Sequence, residues 1–142
     1  MGGFYDDPRF GVIQTQTLRG KASQTSVRAA RVEADRRTML KNVTIKDWNV
    51  FFVDGATTTG AAATTAFKIC LAKAAAGTGA VTPFGTALCG TQANGSVLDG
   101  SLTETNLDAG DDLVLSYEAG TALPAGTVQV ESDVSLVERY SA

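Results

Sequence analysis

The sequence predicts an all-β fold, an antiparallel β-sandwich led by an N-terminal extended arm. Three observations point there. Short runs rich in β-branched and aromatic residues recur across residues 39–140 with partial alternation of polarity. Clusters of Gly, Pro and Asp separate them at a spacing of roughly 8–12 residues, the rhythm of a sandwich or barrel. No long stretch of this body keeps a helical period.

The strands follow in order. Residues 39–53 make the most apolar one, with Val43 and Ile45 on one face and Trp48, Val50 and Phe52 resuming that face after a change of phase. A break or bulge near Lys46 and Asp47 explains the change, and Trp48 is a core residue. Residues 54–65, almost all Gly, Ala and Thr, have little to bury and read as an exposed loop. Phe67, Ile69 and Leu71 then share one face of a second strand, with Lys68 and Cys70 on the other. Residues 72–79 form a pliant linker. Further strands fall at 97–103, 113–117, 127–131 and 134–140, separated by turns at 108–111 and 123–126. Their inward residues are Leu102, Leu107, Leu113, Leu115, Tyr117, Val128, Val130 and Val134.

Charge divides the chain differently. Residues 1–46 carry nine Lys and Arg against four carboxylates, whereas residues 47–142 carry three bases and eleven acids. Residues 1–37 are accordingly read as a basic arm and residues 38–142 as the sandwich body. Opposite charges on one chain favour contacts between the arm of one subunit and the body of another. Ser23 offers an N-cap for a helix over residues 24–37, but its apolar stripe of Val27, Ala30 and Ala34 is thin, and an extended arm is the other reading. Phe4, Tyr5, Phe10, Val12, Ile13 and Leu18 are more apolar anchors than a solvated tail usually carries, which favours an arm that docks. The candidate partner-binding residues are Phe4, Tyr5, Arg9, Phe10, Arg19, Lys21, Arg28, Arg31, Arg36 and Arg37.

Several chemistries are disfavoured. The chain has no histidine, so triads that use it and His-ligated metal centres cannot be built. Two cysteines make a poor zinc site, and Cys70 and Cys89 are read as thiols, with a late disulfide as the alternative. The Asp-Gly turns use Asp to bond their own backbone, although Asp99, Asp108, Asp111 and Asp112 are a possible calcium set. No phosphate-cradling motif is present. The arm's bases are not interleaved with aromatics as single-strand binders require, so no nucleic-acid partner is expected. No stretch is long and apolar enough to span a bilayer, and the first residues lack the pattern of a secretory signal. No enzyme, cofactor or metal function is expected, a carboxylate-dependent glycosidase being the remaining enzymatic alternative.

The run Val97-Leu98-Asp99-Gly100-Ser101-Leu102-Thr103-Glu104-Thr105-Asn106-Leu107-Asp108-Ala109-Gly110-Asp111-Asp112-Leu113-Val114-Leu115, with Leu123-Pro124-Ala125-Gly126-Thr127-Val128-Gln129-Val130 after it, resembles the end of jelly-roll domains in small virion proteins of tailed bacteriophages. These include capsid decoration, or cement, proteins. The resemblance implies a jelly-roll-like sandwich that binds the major capsid protein, forms a homo-oligomer of trimeric type, and resides in a virion assembled in the host cytoplasm. A receptor- or carbohydrate-binding module of a head fibre or tail spike is the alternative, with Trp48 or Tyr117 as possible glycan contacts.

Overall fold

The computed structural model describes residues 13–23, 32–54, 57–58, 67–89, 94–119, 124–125 and 127–139. Two antiparallel sheets pack face to face. The first contains β1 (Ile13–Ser23), β12 (Thr127–Glu138), β3 (Val43–Asp54) and, along the outer side of β3, β7 (Val97–Asp99) and β9 (Thr105–Leu107). The second runs β2 (Val32–Thr38), β10 (Asp112–Ala119), β5 (Phe67–Ala74), β6 (Val81–Cys89) and β8 (Ser101–Leu102). A small ribbon joins β4 (Thr57–Thr58) to β11 (Pro124–Ala125).

Taking β7 to β9 as one interrupted segment, the main strands order as first, eighth, third and sixth in one sheet and second, seventh, fourth and fifth in the other. This is the double Greek key of a jelly roll. Apart from the β5–β6 hairpin and the β6–β8 pair, the ladders of both sheets therefore join strands far apart in sequence.

The core lies between them and is filled from both sides. Ile45, Trp48, Val50 and Phe52 of β3 meet Ile69 and Leu71 of β5 and Leu113, Leu115 and Tyr117 of β10, all fully buried. The change of phase in β3 is a register shift: Ile45 faces Leu136 and Asp47 faces Ser135, so Lys46 has no partner of its own across the ladder. A bulge of this kind lets Val43 and Ile45 point inward together with Trp48, which a regular pleat forbids.

Several expectations need correction. Thr57–Thr58 in the expected 54–65 loop and Pro124–Ala125 in the expected 123–126 turn pair with each other, the strand expected at 97–103 is divided at Gly100 between the two sheets, and Val81–Cys89 is a strand where none was expected. Residues 13–23 and 32–37, expected in the arm, belong to strands of the two sheets, and Leu18 is wholly buried in the common core. Of the two readings of residues 24–37, helical and extended, residues 32–37 are extended because that stretch pairs with β10; residues 24–31 lie outside the described residues. The linker expected at 72–79 begins only after Ala74: Ala72 and Ala74 are buried strand residues, and the turn uses Gly77 and Gly79 at positive φ. The two strands expected at 127–131 and 134–140 are one, β12, because Ser132 points inward between Val130 and Val134 and keeps the alternation through a polar pair. Of the expected core, Val128 has a side chain outside the described set, Leu102 packs against the core half-exposed, and the other six are buried.

Candidate functional site

The site builds up from the edge where β1 and β2 lie side by side, one in each sheet. β1 has few apolar residues to hold it, so local fit does the work. A Cβ at Gly20 would sit 2.7 Å from Ala34 Cβ and 2.9 Å from Tyr117 Oη. Only a glycine lets the two edges close on each other there.

Electrostatics complete the seam. The Asp35 carboxylate accepts from the backbone amides of Arg19, at 3.0 Å, and Arg36, at 2.8 Å, joining β1 to β2. Arg37 approaches Asp35 at 3.6 Å, and Arg19 pairs with Glu131 on β12 at 3.2 Å. The Arg36 guanidinium is held by Glu33, at 2.5 Å, and by Asp112 on β10, at 2.7 Å. The hydrogen bond from Arg36 keeps Glu33 below its ordinary pKa, and Asp112 is lowered by Thr38 Oγ1 first and Arg36 second. The hydrogen bonds that Arg36 donates to Glu33 and Asp112 raise its own pKa in turn.

Of the ten candidate partner-binding residues, the structure therefore places Arg19 and Lys21 on β1 and Arg36 and Arg37 on β2. The three arginines are committed to carboxylates of the same chain rather than offered as a basic patch; Lys21 is exposed. Phe4, Tyr5, Arg9, Phe10, Arg28 and Arg31 lie outside the described residues.

Below the seam, at the start of β1, the edge opens into a cavity of about 280 Å³. Met39, Val43 and Leu136, all buried, form its apolar lining; Gln14 and Gln16 of β1 stand on one side. Leu40, 88 % exposed, stands at its mouth, where Lys41 and Glu138 form an ion pair at 3.3 Å. Sequence reasoning put Met39 and Leu40 inside the first body strand, which starts only at Val43. No local pattern distinguishes a Leu in a strand from a Leu in a turn beside one.

The possible calcium set does not converge. Asp111 accepts from the amides of Ala76, at 3.0 Å, and Asp108, at 2.9 Å, with Lys73 at 3.5 Å, so its oxygens face donors and its pKa is lowered, chiefly by the Ala76 bond. Asp108 pairs with Arg139 at 2.8 Å, and among the described residues no cluster of His, Cys, Asp and Glu is placed to hold a metal ion. Cys70 is a buried thiol opposite Thr86, whereas Cys89 lies opposite Phe67, three residues further along β6; that separation exceeds what a disulfide spans. Trp48 and Tyr117, possible glycan contacts, are both wholly buried. Among the described residues, no helix is long and apolar enough to cross a membrane.

Comparison with protein-family models found no match, and comparison with curated proteins found none either.

Proposed function

We propose that this chain is a virion structural protein that binds and stabilises a capsid shell as a decoration, or cement, protein. Its partners are the major capsid protein and further copies of itself in a closed, trimeric oligomer, and its place is the virion, assembled in the host cytoplasm. The observation that carries this reading is the way the titratable side chains are spent: arginines and carboxylates lock strands of the sandwich to one another, and the open cavity is lined by apolar side chains, amides and one ion pair. A framework of this kind offers surfaces, and many weak repeated contacts suffice to stiffen a shell.

Cosedimentation with expanded shells of the cognate major capsid protein tests it. The informative deletion is residues 2–12, since a longer one removes β1 and with it Leu18 from the core. Full-length protein is expected to saturate the shells, and the deletion to lower occupancy at least tenfold. No binding by the full chain rejects the proposal, and undiminished binding by the deletion rejects the leader's part in it.

A second reading rests on the outer face of the first sheet. Phe51 faces Val97 across β3 and β7, 37 % and 61 % exposed, beside a polar row of Thr17, Asp133, Asn49 and Asp99. An exposed ring next to carboxylates and an amide is a surface on which a sugar can stack. Micromolar binding on a glycan array, lost in Phe51→Ala, would favour it over the shell.

A further inference from the structure

We propose that the cavity beside Leu40 receives the N-terminal leader, residues 1–12, of a second copy of this chain. The inference deepens the function proposed above by naming how copies join, and it rests on that reading only for the purpose of the assembly.

Two features meet at this place. β1 ends its sheet: among the described residues it pairs with β12 on one side only. Its first half, Ile13 to Leu18, is free of charge, proline and glycine, so nothing in it blocks a further strand from pairing along the outer edge. The cavity opens directly next to that edge, since Gln14 and Gln16 belong to its wall. An extended segment laid along β1 gains backbone hydrogen bonds and places every second side chain beside Gln14 and Gln16. Those side chains face Met39 and Leu40 across the opening of the cavity, with Leu136 and Val43 deeper within it. The volume, about 280 Å³, is at the lower limit of small-ligand pockets, which start at roughly 300 Å³. It suits a bulky side chain of a docked segment better than a free metabolite.

The sequence supplies such a segment. Residues 1–12 carry Phe4, Tyr5, Phe10 and Val12, and end where β1 begins. Twelve residues reach up to about 40 Å when extended, enough to cross to a neighbouring subunit. Their charges, Asp6, Asp7 and Arg9, match in kind the Lys41 and Glu138 pair at the mouth. To fill its own cavity, the leader would have to reverse within the few residues before Ile13, with Gly11 as the one residue there suited to a tight reversal. A neighbour's leader needs no reversal. Passed from each copy to the next, the contact is head-to-tail and closes into a ring, so every cavity is filled.

The experiment uses the full chain in buffer, with no shell present. Light scattering is expected to give a mass at a multiple of 14.7 kDa. Leu40→Asp and Phe10→Ala should each weaken self-association at least tenfold, with the buried emission of the single tryptophan unchanged; Leu40 is exposed, so its replacement leaves the core intact. Mixing separately purified Leu40→Cys and Phe10→Cys chains under mild oxidation should then produce an interchain disulfide that neither pool forms alone. A monomeric full chain, an assembly indifferent to Leu40→Asp, or a crosslink that forms only within a chain carrying both cysteines would overturn the proposal. Shell binding is read in a separate assay, so protein that self-associates through the cavity yet ignores shells leaves this inference standing and removes the function. Protein that binds shells as a monomer does the reverse.

Discussion

At one edge of the sandwich the backbone itself crosses between the sheets; at the other, side chains do the joining. Residues 97–107 pair with β3 through β7 and β9 and with β6 through β8. Gly100 N donates to Trp48 O at 3.2 Å, and Thr103 N to Phe84 O at 2.9 Å. The Trp48 ring is sealed beneath Gly100 and Gly85, where a side chain would strike it. Among the described residues, the β1 and β2 edge is joined by the Gly20 approach and the Asp35 carboxylate, while Glu131 and Asp112 brace β1 and β2 within their own sheets. Closure by crossing backbone pairs part of the outer side of β3 and of β6, whereas closure by side chains leaves β1, among the described residues, unpaired along that side and able to take another strand. The first edge is therefore built for stability and the second for contact.

Substitutions can break that contrast, beginning at the sealed edge. Trp48→Ala empties the largest buried side chain and should cost about 3–5 kcal/mol in denaturant unfolding. Gly100→Val forces a side chain into the same ring and should cost about 3 kcal/mol, at the upper end for overpacking. If either is tolerated, the backbone crossing does not seal the edge.

At the open edge, and in the turn joining β9 to β10, the expected costs are smaller. Gly20→Ala pushes a methyl group against Ala34 and Tyr117 and should cost about 1–3 kcal/mol, read from the same unfolding curves. Asp111→Asn, which weakens the turn joining β9 to β10, should cost about 1–3 kcal/mol at neutral pH by spoiling two amide bonds. Because the folded pKa of Asp111 is lowered, its contribution is present above the unfolded value of about 3.9 and is lost as pH falls through the folded one. The gap between wild type and Asp111→Asn should therefore close below about pH 4. Smallest of all is Arg19→Gln: its pair with Glu131 is exposed, so the change should stay within about 1 kcal/mol and shrink further in salt. A larger effect would mean that charge as well as the ladder holds β1 to β12.

The central strands were legible because each carries its own signal. Val43, Ile45, Trp48, Val50 and Phe52 announce both their face and, by the change of phase, the bulge at Lys46. Edge strands carry less. On β1 the residues paired into the core are Leu18, which is apolar, and Gly20, which looks like a turn residue until Tyr117 is seen above it. On β2, among the described side chains, Ala34 alone packs against the core, and Glu33, Arg36 and Arg37 imitate a solvated arm. The charge split was real, but Arg36 meets Asp112, 76 positions away, within the same chain. The cavity at Leu40 had no signature at all, since its walls come from β1, the β2 to β3 turn and β12.

By itself, then, the amino-acid order determined the all-β class, the inward set of β3, β5 and β10, and the turn at 108–111, but not β6. These depend on alternation and backbone preference among residues close in the chain. Tertiary structure alone decided that residues 13–23 and 32–38 are strands, which carboxylate each arginine meets, and where the sandwich stays open. Membership of an edge and the shape of a gap are set by neighbours brought in from distant sequence, and no local pattern records them.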